Sequence, residues 1–187
     1  MGRFLGKLSS DAFGVVVDEM KIGHFRIPDA PAADADGILK DHALPAEAGA
    51  VTEFLAQPPV PMIITMVCSG TQTGKATVYG KNINDDPISE EFTLASATPV
   101  TGTKAFKSIT SIELPVKVAS ETIDVGWGNG YGLPYCLTAD ELVILKLFND
   151  AADSGTVTVD ADEVEKNIFV PDGTPDGEKN IDLYIIV

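Results

Sequence analysis

Cysteine and histidine are scarce in this chain: Cys68, Cys136, His24 and His42 are the only ones in 187 residues. Two cysteines are too few for a disulfide framework, and neither lies in a Cys-x-x-Cys pair or beside a histidine. A zinc centre would have to gather all four residues from scattered positions. The thiols are therefore expected to be free, buried and inert, with a single Cys68–Cys136 bridge open should their strands pair. Basic residues are also few. Lys and Arg number 13 against 28 Asp and Glu, a formal net charge of −15. That argues against sequence-independent nucleic-acid binding, which needs cations to neutralise phosphates, and against adhesion to an anionic membrane. No apolar run is long enough to span a bilayer; residues 60–68 come nearest and contain Pro61 and Thr65. A secretory leader is not expected either. Arg3 and Lys7 are followed by only Phe13-Gly14-Val15-Val16-Val17 before Asp18 and Glu19, where a leader needs about 7–15 apolar residues.

The acidity is uneven. Residues 136–187 hold three lysines and twelve acidic residues, and both arginines, Arg3 and Arg26, lie near the N-terminus. An acidic stretch of this kind reads first as a solvated surface that keeps copies of the chain apart.

With 44% hydrophobic and 22% charged residues the composition is globular. A chain of this length buries about 70% of its unfolded surface without needing staples. Its character changes near residue 57. Residues 1–56 show little periodicity, and 28–37 are small, polar and punctuated by Pro28 and Pro31. They read as an extended arm, ordered by a partner, with one short strand near 20–27. Gln57-Pro58-Pro59-Val60-Pro61 then leads into a body, 57–187, of short strands separated by Gly, Pro, Asn and Asp. Strands are expected at Met62–Cys68, 75–80, 88–94, 112–118 (with Pro115 marking an edge or a bulge), 123–127, 142–148, 157–159 and 181–187. No βαβ alternation is present. The expected fold is all-β: an antiparallel β-sandwich, Greek-key or jelly-roll-like, with an extended N-terminal arm.

Three apparent motifs fail on physical grounds. Gly70-Thr71-Gln72-Thr73-Gly74-Lys75-Ala76 imitates a phosphate-binding loop, but has three residues between its glycines instead of four. Ala76 also stands where a hydroxyl must hold magnesium, so a hairpin loop is the simpler reading. The sets Asp34/Asp36, Asp160/Asp162/Glu163 and Asp172/Asp176/Glu178 lack the order of ligands of a calcium loop, and Asp172-Gly173 and Asp176-Gly177 read as turns. Residues 126–132 carry glycine at every second position, which leaves one face of an extended segment bare so that a backbone or ring can approach. Trp127, Tyr131 and Tyr135 beside it either pack into the core or anchor a protein–protein contact. No nucleophile, base or carboxylate pair stands out, so neither catalysis nor a cofactor is expected.

Several segments resemble capsid auxiliary proteins of tailed bacteriophages, the decoration proteins and head fibres. They are Gln57-Pro58-Pro59-Val60-Pro61-Met62-Ile63-Ile64, residues 74–80 (GKATVYG), 88–94 (ISEEFTL), 99–115 (PVTGTKAFKSITSIELP) and 124–135 (DVGWGNGYGLPY), with echoes at 21–28 (KIGHFRIP) and 33–37 (ADADG). Residues 1–20 fall outside the pattern. The resemblance implies a non-enzymatic virion protein, assembled in the host cytoplasm and bound to the outside of the head shell. Its partners would be the major capsid protein and itself, as a homo-oligomer with a trimer favoured. Phe25, Arg26 and Ile27 of the arm and Trp127, Tyr131 and Tyr135 are the expected contact residues. Alternatives are a tail or fibre-associated subunit, or an unrelated adhesin or carbohydrate-binding module; a saccharide site would need an exposed aromatic platform from Trp127, Tyr131 and Tyr135.

Overall fold

A computed structural model describes residues 21–187. Apart from two 3-10 turns, Asp140–Leu142 and Val164–Lys166, its regular structure is β. In chain order the strands are β1 (Ile22–Ile27), β2 (Asp34–Ala43), β3 (Gly49–Val51), β4 (Met62–Cys68), β5 (Thr73–Lys81), β6 (Pro87–Ala95) and β7 (Val100–Phe106). They continue as β8 (Ser108–Leu114), β9 (Thr122–Gly132), β10 (Val143–Phe148), β11 (Ala151–Ala152), β12 (Thr156–Thr158), β13 (Ile168–Val170) and β14 (Ile181–Ile186). All pairs are antiparallel and form three sheets. A central sheet runs β12-β13-β9-β4-β7, with β2 also on β9; a second runs β3-β8-β5-β6; a third runs β1-β14-β10-β11. Their inner faces share one continuous core. Ile64, Met66, Ile123 and Val125 come from the central sheet, Ala76, Val78, Phe92 and Ile112 from the second, and Ile181, Leu183 and Ile185 from the third. The fold is thus the expected all-β, sandwich-like one.

β9 is the hub. It pairs with β4 along one side, and with β2 and β13 along the other. Its alternating glycines let both neighbours in. A side chain on Gly126 would collide with the Asp34 and Ala35 backbone of β2. Gly128 and Gly130 lie against Ile63, and Gly132 against Ala105 and Pro61. The bare face inferred from the spacing is therefore filled by neighbours on both sides.

The segment read as an arm is built into this architecture across its described part. β1 pairs with β14 over six residues, β2 with β9, and β3 with β8. Ile27, Ala30, Ile38, Leu39 and Leu44 are buried in the common core. No boundary separates 21–56 from the body. β2 escapes a period-two reading because it is bulged: its register on β9 shifts twice, between Asp34 and Leu39 and between Leu39 and His42. Asp41 adds a positive φ of 46°. Successive residues Ile38 and Leu39 then both face inward, which alternation cannot show. The part of the proposed arm at 1–20 lies outside the described residues.

Two other expectations are corrected. Residues 69–74 are no hairpin loop; they carry the chain from β4 in the central sheet to β5 in the second. Gln72, fully buried, fixes that crossing. Its Nε2 donates to the Thr73 and Val116 carbonyls at 2.6 and 3.2 Å, and its Oε1 accepts from Val118 N–H at 2.9 Å. The strand expected over 112–118 stops at Leu114. β8 lies between β3 and β5, so Pro115, which cannot donate to a ladder, ends the strand and marks no sheet edge. Before it, Gln57 bonds the Ile109 backbone twice with its side chain, donating from Nε2 at 3.1 Å and accepting at Oε1 at 2.7 Å. A side-chain amide thereby stands in for a strand partner where the neighbouring prolines have no N–H to give.

Gly126 and Gly128 should separate by urea titration. Gly126→Ala presses a methyl into β2 backbone and is expected to lose about 1–3 kcal/mol. Gly128→Ala meets only the Ile63 and Thr65 side chains, nearest atoms 3.2 Å away, and should lose clearly less. Equal losses would mean that β2 does not sit on β9.

Candidate functional site

The outer face of the third sheet concentrates exposed apolar and cationic groups. β1 alternates: Gly23, Phe25 and Ile27 turn inward, while Ile22, His24 and Arg26 turn outward. β14 repeats this, with Ile181, Leu183 and Ile185 fully buried and Asp182, Tyr184 and Ile186 on the outer side. Register places His24 beside Tyr184 and Arg26 beside Asp182, with Leu145 and Leu147 of β10 across from Tyr184 and Asp182. A register shift between Val143 and Leu145 puts Ile144 and Leu145 both into solvent, at 49% and 42% exposure. Ile22 (63%) and Val187 (48%) extend the apolar area at one end.

Asp182 organises the polar part. Its carboxylate is only 6% exposed and accepts from His24 Nε2 at 2.5 Å, which assigns the proton to that nitrogen. Asn180 Nδ2 donates to its other oxygen at 2.5 Å and to Asp150 Oδ1 at 3.0 Å. Arg26 Nε lies 3.7 Å away. The His24 ring stacks on Tyr184, centroids 4.6 Å apart and planes 9° from parallel. A buried carboxylate needs such a set of donors to satisfy its oxygens. The bond to Asp182 and the stacking on Tyr184 fix the orientation of the His24 imidazole.

Of the six expected contact residues, the structure brings three to this region. Arg26 is exposed on the outer face, Phe25 is half-buried along β1, and the half-buried Tyr135 has its hydroxyl against Gly23. Ile27 is buried in the core. Trp127 and Tyr131 are buried as well. Trp127 Nε1 donates to Ala32 O at 3.0 Å with its ring against Gly37, and Tyr131 Oη donates to Pro31 O at 2.6 Å. These two clamp the 30–37 segment from inside and are not surface anchors, so they form no exposed platform for a sugar. Tyr184, Ile144 and Leu145 were not singled out in the sequence, and His24 was weighed there as a scattered metal ligand and not as a contact residue. The 145–184–24 row exists only once register is known, although the outward period of Ile22, His24 and Arg26 was there to be read.

Elsewhere the polar groups serve the fold. Fully buried Asn167 accepts from Leu137 and Asp160 N–H through Oδ1 and donates through Nδ2 to the Asp160 and Glu163 carbonyls. Asp160, Asp153 and Asp176, from or beside the acidic sets, accept backbone N–H groups of their own turns, and Asp153 also accepts from the distant Gly173 N–H. Those bonds, from Glu163 and Asp162 N–H first, hold the Asp160 carboxyl below its ordinary value. Among the described residues no group of three or more His, Cys, Asp or Glu side chains is placed to hold a metal ion. No described helix is long and apolar enough to cross a membrane. Comparison of the chain with protein-family models, with curated proteins and with solved structures finds no match in any of the three.

The two thiols differ. Cys68 is buried in β4, and burial followed by the Glu121 and Asp124 charges pushes it up to about 11. Cys136, expected to be buried, is exposed beyond the end of β9, and the two are not bridged. Because the thiolate is the reactive form, an aromatic disulfide reagent at neutral pH should label Cys136 promptly and Cys68 only after unfolding. Prompt labelling of both would contradict the core position of β4. In the same spirit, Trp127→Ala should lower stability by about 3–5 kcal/mol, as large-to-small core changes do, read as a fall in melting temperature. An unchanged melting temperature would return Trp127 to the surface.

Proposed function

We propose that the chain is a structural component of a tailed-phage virion, a capsid decoration protein that holds to the outside of the head shell and carries out no reaction. The resemblance of residues 57–64, 74–80, 88–94, 99–115 and 124–135 to capsid auxiliary proteins supports this reading. The observation that carries it is the outer face of the β1-β14-β10 sheet. There Ile22, Ile144 and Leu145 stand exposed beside His24, Arg26 and Tyr184, on a chain of net charge −15. Contiguous exposed apolar surface with aromatic and arginine groups is what protein contacts use. The major capsid protein is the partner, and the protein works as a homo-oligomer, a trimer being suited to the three-fold sites of a head lattice. Repetition of a modest contact around such a cluster raises avidity without new contacts.

The experiment is co-sedimentation of the full-length protein with empty heads of its own phage. Saturable binding is expected. Ile22→Asp combined with Leu145→Asp should weaken it by about tenfold or more, since charges at an interface centre are strongly unfavourable. Lys75→Ala, on the second sheet and engaged only with exposed Glu91, should leave it unchanged. Absence of saturable binding, or full binding by the doubly substituted protein, would sink the proposal.

A further inference from the structure

Most strand edges among the described residues are blunted. β10 is covered by β11 at Leu147 and Phe148, gives its Lys146 carbonyl to Asp153 N–H, and is bulged beside Ile144. β2 changes register twice. β3 and β12 have three residues each. β7 is capped by the Glu90 carboxylate of β6, which accepts from the Thr103 and Lys104 N–H groups at 2.6 and 3.4 Å. β1 differs. It runs six residues in unbroken register, with no proline and no bulge.

Its hydrogen-bond phase is fixed by the pair at its start. Lys21 N–H donates to Val187 O at 3.2 Å and Val187 N–H to Lys21 O at 2.8 Å. Bonded pairs alternate in an antiparallel ladder. Gly23, Phe25 and Ile27 therefore bond β14, and the N–H and C=O groups of Ile22, His24 and Arg26 point away from the sheet. No described strand pairs with them. Unpaired among the described residues, these six backbone groups form a row that is a template for another strand. The side chains say which kind. His24 and Arg26 stand on the outer face, 43% and 54% exposed, and Lys21 is exposed at the start. Asp182 is the one carboxylate facing them from β14, already bonded to His24 and Asn180. On the inner side of the same edge, Phe25 and Tyr135 are only half-buried. A second β1 would bring another Lys21 and Arg26 into the same short ladder, so like charge disfavours self-pairing at this edge.

We propose that β1 is a docking edge for an extended strand of a partner protein, one that alternates carboxylates over Arg26 and His24 with apolar side chains over Phe25 and Tyr135. The inference does not rest on the virion reading, and its test contains no heads, so the two fail separately.

Amide hydrogen exchange of the full-length protein decides it. In the free chain the Ile22, His24 and Arg26 amides should exchange about 100-fold faster than those of Gly23, Phe25 and Ile27, as unbonded edge groups do. A capped seven-residue peptide alternating valine and glutamate should slow the three outward amides at least tenfold at saturation. Its valine–lysine counterpart should not. Lys21→Gln combined with Arg26→Gln should weaken binding of the glutamate peptide about tenfold, while the exchange of Gly23 and Phe25 reports that β1 remains folded. Protection of Ile22, His24 and Arg26 in the free chain would show that the chain's own residues cover the edge and would overturn the proposal. So would equal protection by both peptides, or by neither at millimolar concentration.

Discussion

The close approach of three strands to β9 is the constraint on which the rest of this structure depends. A strand normally keeps its neighbours at ladder distance and its faces clear for side chains. β9 gives up side chains at Gly126, Gly128, Gly130 and Gly132, so the β2 backbone can cross one part of it and Ile63 can lie flat against another. Between the glycines stand Trp127 and Tyr131, whose polar ends reach the Ala32 and Pro31 carbonyls. One strand thus sets the central sheet and pins the segment leading from β1 to β2. The third sheet follows from it: the pinned segment positions β1, and β1 with β10 encloses β14. Glycine in a strand interior is ordinarily unfavourable by about 0.5–1 kcal/mol relative to alanine. The penalty is offset here because the vacated space is occupied by buried apolar groups.

Without a disulfide among the described residues, the crossings between sheets are held by side-chain amides, of which Gln72, Asn82 and Asn167 are buried and Gln57 is exposed. Gln72 ties the β4–β5 crossing to the segment after β8. Gln57 takes a strand's place against Ile109. Asn167 joins the turn before β13 to the chain after β9, and Asn82 reaches Glu165, itself engaged by Lys104. Every buried side-chain nitrogen and oxygen among the described residues has a partner. Unpaired buried polar atoms would each cost about 1–3 kcal/mol, so these amides select one connectivity: a different crossing would orphan them.

The legible part of the sequence is the part with regular ladders. β6 and β14 keep unbroken ladders with β5 and β1 and lie close to the bounds expected of them, whereas β4, bulged against both its neighbours, was legible from its run of β-branched and apolar residues. The glycine spacing at 126–132 announced a close approach without saying by what. β2 was illegible because bulges break its period, and Gln57 and Gln72 because a side-chain amide standing in for backbone leaves no periodic mark. For the candidate face, the outward set Ile22, His24 and Arg26 could be read locally once β1 was accepted as a strand. Its continuation depends on the pairing of His24 with Tyr184, 160 positions away, and of Tyr184 with Leu145, 39 positions away, which composition does not encode. Of the two readings open for Trp127 and Tyr131, core packing or a contact anchor, their burial bears out the first, and the glycines beside them are what allow the rings to be enclosed.

Charge distribution completes the argument. A chain of net charge −15 repels its copies and most acidic surfaces. On such a chain a local cation gains weight, because it is the place where an acidic partner is not turned away. Most lysines are engaged by carboxylates: Lys40 by Asp36, Lys75 by Glu91, Lys104 by Glu163 and Glu165, Lys107 by Asp85, Lys179 by Asp176. Most of these pairs are exposed, so they add little stability, yet together they leave few cations uncommitted. Along β1, buried Asp182 is the one carboxylate among the described residues that engages His24 and Arg26. That asymmetry falls on the strand whose backbone edge is regular and open. Sequence places the cations, alternation turns His24 and Arg26 outward, and the ladder phase points the backbone groups of the same residues away from the sheet. Recognition by backbone and by charge therefore converge on six residues that the hub strand, through the pinned segment, holds in place.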